Sequence, residues 1–79
     1  MARITMDDLN RIDKNRNSIH STVKATYTVF TNGGKQYFQI DTYGTSARKF
    51  NDIVSQSIQI DRDTAVALID ILKNAFDIK

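Results

Sequence analysis

The sequence predicts a small α+β domain: a three-stranded antiparallel meander with a C-terminal helix on one face, and room for a short helix before it. Two observations predict this. Apolar residues recur at every second position through the middle of the chain, and the spacing changes to three and four near the C-terminus. A third sets the scale. With 79 residues, 41% of them apolar, the chain has material for one core, and it contains no Cys to staple that core. The reading is a single βββα domain over residues 20–79, preceded by residues 1–19 as a short helix or a mobile arm.

In the leading segment Met6, Leu9 and Ile12 are spaced three apart, which fits a short helix with Thr5 and Asp8 as a weak capping box. The polar run Asp13 to Ser18 ends it. From Ser21 the period becomes two: Val23, Ala25, Tyr27 and Val29 alternate with Lys24, Thr26, Thr28 and Phe30, which predicts the first strand. Thr31-Asn32-Gly33-Gly34-Lys35 follows, rich in residues that take a positive φ cheaply, so Gln36 to Tyr43 should return as the second arm of a hairpin. Phe38 and Ile40 belong to its apolar face, and Tyr37, Gln39, Asp41 and Tyr43 to the other.

Residues 45–54 show neither period and read as a loop anchored by Phe50 and Ile53. Val54 to Ile60 alternates again and makes the third strand. Asp61 then stands at an N-cap with Thr64 three positions on. Ala65, Leu68, Ile69, Leu72 and Phe76 form one helical stripe. The predicted core is Val23, Ala25, Tyr27, Val29, Phe38, Ile40, Ile58 and Ile60 of the strands with Leu68, Ile69, Leu72 and Phe76 of the helix. A lone helix covers one face of a sheet, so the other should be open to solvent or a partner.

Lys35, the string Tyr37-Phe38-Gln39-Ile40-Asp41-Thr42-Tyr43-Gly44, a nearby Arg48, the string Val54-Ser55-Gln56-Ser57-Ile58-Gln59 and an Asp-started helix occur in that order. In this the stretch from Lys35 to Phe76 resembles a set of short proteins of bacteria and their phages. The resemblance implies a shared small α+β fold and carries no activity with it; residues 1–20 fall outside it.

The chemical inventory points away from catalysis. The one histidine, His20, has Ser18 and Ser21 as sequence neighbours, but neighbours in sequence are not a triad. Asp41 with Arg48 or Tyr43 is the sole acid and electrophile pair that can be nominated. The close carboxylate pairs, Asp7/Asp8 and Asp61/Asp63, stand at helix starts where capping explains them, so no metal site and no cofactor is expected. Asn32-Gly33-Gly34-Lys35 lacks the spacing and the following helix of a phosphate loop. A net charge of +2 is too mild to demand nucleic acid. The longest apolar run, Ala65 to Ile69, is far short of the roughly 20 residues of a membrane span. No basic-then-apolar leader is recognisable, and the expected location is the cytoplasm.

Recognition is the stronger expectation. Tyr37, Gln39, Asp41, Tyr43, Arg48, Ser57 and Gln59 would share one sheet face, where residues two apart on a strand lie about 7 Å from each other. Phenols supply contact area at low entropic cost, and amides and a guanidinium supply directional hydrogen bonds. The expected partner is another protein, as for a phage or bacterial regulator or inhibitor, or a second copy in a homodimer. A nucleic acid lying on the sheet face is the alternative, and ordinary cross-strand pairing on a solvated face is the bland one.

Overall fold

Gly33 and Gly34 take φ of +61° and +78°, and Asn32 pairs with Lys35, so a two-residue turn with both central φ positive joins the hairpin. In the computed structural model, residues 1–44 and 53–79 are described. The strands are β1 (Ala2–Ile4), β2 (Ala25–Asn32), β3 (Lys35–Tyr43) and β4 (Val54–Asp61), and a single helix, α1 (Arg62–Phe76), follows directly. They form one four-stranded sheet in the order β1-β4-β3-β2.

The α+β class agrees with the sequence; the sheet differs in two respects. It has a fourth strand, β1, and β1 runs parallel to β4, so the sheet is mixed. The N-terminal helix reduces to a single 3-10 turn at Met6–Asp8, closed by Asp8 and Leu9 N–H groups donating to the Thr5 and Met6 carbonyls. Leading residues thus extend the edge of the sheet and do not lie across it. Residues 10–24 then run exposed without helix or strand.

Register sorts the side chains. Tyr27 stands opposite Ile40 and Ile40 opposite Ile58; Val29 stands opposite Phe38 and Phe38 opposite Ile60. Ala2 and Ile4 extend these rows from β1. Tyr27 and Phe38 stack at 5.4 Å between ring centroids. On the reverse face run the rows Phe30, Tyr37, Asp61 and Thr28, Gln39, Gln59, Arg3 and Thr26, Asp41, Ser57. A register shift after Thr42 pairs Tyr43 with Val54, which leaves Ser55 as the extra residue of a bulge in β4.

Helix α1 is well terminated at both ends. The Asp61 carboxylate accepts from the Thr64 N–H at 2.9 Å. At the other end Asp77 takes φ +53°, a left-handed conformation, and the Ile78 N–H returns to the Lys73 carbonyl at 2.9 Å. Thr64 is buried, and Ala65, Ala67 and Leu68 are half-buried, but every residue from Ile69 onward is exposed. The cover expected from this helix is therefore partial. No loop residue separates β4 from α1, and the helix approaches β3 and β4 without covering the apolar rows of the sheet, four of whose six side chains stay exposed. The predicted core is accordingly open: Tyr27 is 73% exposed, Val29 59% and Phe76 70%, and among the described residues no apolar side chain is fully buried.

Two outcomes check this account. A Cβ at Gly34 would meet nothing within 4 Å, so Gly34→Ala is penalised by backbone conformation alone and is expected to lower stability by ~1 kcal/mol in chemical denaturation. Hydrogen bonding by Thr64 first, and the positive charge of Arg3 to a lesser degree, hold the Asp61 carboxyl below its ordinary value of 3.8. A depressed carboxylate stabilises the fold above its unfolded pKa and loses that contribution as pH falls through the folded value. Wild type should therefore weaken more than Asp61→Asn as pH falls below about 4, measured as denaturation midpoints at stepped pH.

Candidate functional site

Gln39 lies at the centre of the polar sheet face, on the middle of β3 with β2 and β4 to either side. Its Nε2 donates to both oxygens of Asp41, at 3.0 and 3.1 Å, and its Oε1 accepts from Gln59 Nε2 at 2.7 Å. Three side chains from two strands thus form a relay running Gln59 to Gln39 to Asp41. The relay fixes the amide orientation of Gln39, since reversal would set its oxygen against a carboxylate.

Around the relay the face is lined by rings. Tyr37 stacks on Phe30 at 5.5 Å between centroids, and the Arg3 guanidinium lies 6.0 Å from the Tyr37 ring centroid. At the other end of β3 the Tyr43 and Thr26 hydroxyls are hydrogen-bonded at 3.0 Å, the Tyr43 N–H donates to the Lys24 carbonyl, and the Lys24 ammonium lies 5.1 Å from the Tyr43 ring centroid. Ser57 stands opposite Asp41 and is the buried residue of β4. The result is a surface of two phenols, two amides and a carboxylate, half-buried by one another, with a cation at each end.

Of the residues chosen from sequence, Tyr37, Gln39, Asp41, Tyr43, Ser57 and Gln59 occupy this one face. Arg48 and the anchoring Phe50 lie outside the described residues. Sequence reasoning missed Arg3, which reaches the face because β1 joins the sheet, and the part of Thr26 as the Tyr43 partner. The signal for Thr26 was present in the alternation of β2; that for Arg3 was three residues long. His20 is exposed in the segment before β2. Among the described residues no group of three or more His, Cys, Asp or Glu side chains gathers as a metal site. None of their helices is long and apolar enough to cross a membrane.

Comparison with known proteins returns no match: no family model, no curated protein and no solved structure resembles the chain closely enough to count.

The relay makes a measurable statement. Gln39→Ala removes the partner of both Gln59 and Asp41, and should destabilise the fold by about 0.5–1.5 kcal/mol for each bond lost. In a double-mutant cycle with Gln59→Ala the two losses should fall short of additive by roughly 0.5 kcal/mol or more, read from denaturation midpoints.

Proposed function

We propose that the protein is a non-enzymatic recognition module that binds another protein through the Tyr37, Gln39, Asp41, Tyr43, Ser57 and Gln59 face, as a small regulator or inhibitor in a bacterium or phage. The observation that carries this reading is the pre-ordered relay: Gln59, Gln39 and Asp41 hold one another in place before any partner arrives. Groups already held lose less freedom on binding, and at an interface that freedom costs about 0.5–1.5 kcal/mol per immobilised side chain. Tyr37 and Tyr43 flank the relay as the large amphipathic anchors that interfaces favour.

Binding is favoured over catalysis because both oxygens of the Asp41 carboxylate already accept from the Gln39 amide. Protein is favoured over nucleic acid by charge. Arg3 and Lys24 on this face are offset by Asp41 and Asp61, whereas a surface that tracks phosphates needs an excess of cations.

The deciding experiment is capture with the full chain as bait from nuclease-treated bacterial lysate, set beside the Tyr37→Ala/Tyr43→Ala variant. A protein retained by wild type and lost with the variant is the expected result. The nucleic-acid alternative would instead give a duplex or single-strand retardation that weakens steeply with salt and vanishes in Lys24→Glu/Lys35→Glu.

A further inference from the structure

The opposite side of the sheet raises a separate question. Its rows are Tyr27, Ile40, Ile58 and Val29, Phe38, Ile60, and four of these six side chains are exposed. Helix α1 has a matching deficit: Ile69, Leu72 and Phe76, spaced three and four apart on one seam, are 53%, 41% and 70% exposed. On the other flank of the helix Leu68, Ile71 and Ala75 line an open cleft together with Leu9, Asn10 and Arg11 of the same chain, and Ile71 is 47% exposed.

We infer that a second copy of this chain covers both surfaces at once, the Ile69–Leu72–Phe76 seam of each copy lying on the apolar sheet face of the other in a two-fold dimer. Three observations select this occupant. The chain exposes 7289 Å², against about 4,900 Å² for a compact folded monomer of 9.0 kDa. Segment 10–24 contributes part of this surplus, and the exposed apolar side chains of the sheet face and of α1 contribute to it as well; a standard interface buries ~800 Å² per partner. The radius of gyration, 14.9 Å, likewise exceeds the roughly 11.6 Å of a compact domain of this length.

The second observation is reciprocity. Each copy carries an uncovered helix seam and an uncovered sheet face, and a two-fold axis sets each against its counterpart. Pairing helix to helix would leave both sheets bare, and pairing sheet to sheet would leave both helices bare. The third is dimension. Fifteen helical residues span about 22 Å and the nine of β3 about 30 Å, so one helix fits along the sheet it would cover. No cysteine is present to staple the fold, and association is one of the means by which small domains offset a thin core.

The polar face takes no part in this dimer, so the inference stands or falls apart from the proposed function. It is tested on the full chain by sedimentation equilibrium and by isotope-filtered NMR on a mixture of labelled and unlabelled protein. The expected mass is about twice 9.0 kDa at micromolar concentration, with intermolecular NOEs from Ile69, Leu72 and Phe76 to Tyr27, Val29 and Ile58. Phe76→Glu and Val29→Glu should each shift the mass towards monomer at least tenfold in dissociation constant, while Thr28→Glu, on the reverse face, should not. Either of two results overturns the inference: a folded monomer at 100 micromolar, or a dimer whose intermolecular NOEs join sheet to sheet or helix to helix.

Discussion

One register, set by Gly33 and Gly34, governs both faces of the sheet. The turn admits two residues and no more, so Asn32 must face Lys35, and every pair from there to Ala25 and Thr42 follows. Side chains alternate with period two, so a slip of one residue would put Phe38 and Ile40 among the polar rows and Gln39 and Asp41 among the apolar ones. The relay on one side and the apolar rows on the other are therefore two consequences of a single constraint. The edge strand β2 makes the constraint more necessary. It carries no charge between Ala25 and Asn32, and sequence alternation alone gives such a strand several tolerable pairings.

A second constraint is the abrupt passage from strand to helix at Asp61. This residue ends β4 and caps α1, and its carboxylate satisfies one of the four N–H groups that a helix start leaves unpaired. The economy leaves no connecting residue between strand and helix. The apolar seam of α1 and most of the apolar rows of the sheet both stay exposed. What would close a core in a longer chain becomes here a pair of unmatched surfaces.

This division explains which features could be read from residues alone. The hairpin was legible because Asn32-Gly33-Gly34-Lys35 names its own turn. The grouping of Tyr37, Gln39, Asp41 and Tyr43 was legible because period two is a local rule. Pairing with Ser57 and Gln59 followed once two strands were set antiparallel. The strand Ala2–Ile4 was not legible: three residues make no pattern, and a parallel partner more than fifty positions away leaves no mark nearby. Arg3 escaped notice for the same cause. The cover given by α1 fell short for a different one. The spacing of Ile69, Leu72 and Phe76 declares that a surface must be covered; it contains nothing about which surface covers it.

The two faces also answer differently to change, and this bears on what each is suited to do. An apolar surface is indifferent to direction, so its free energy depends on area and shape, and it serves well for a contact that must simply persist. The polar face is directional. Gln39 has both ends of its amide committed, so a group approaching Asp41 or Gln59 meets an acceptor and a donor already oriented. A partner lacking the matching donors would leave the carboxylate of Asp41 covered with its capacity unfilled, at a cost of roughly 1–3 kcal/mol or more for each unsatisfied group. Arg3 and Lys24 at the ends of the face, held over aromatic rings, extend the same discrimination to charge. On the proposed reading selectivity would belong to the relay face and cohesion to the apolar one, a separation that alternation along three strands produces without any further device.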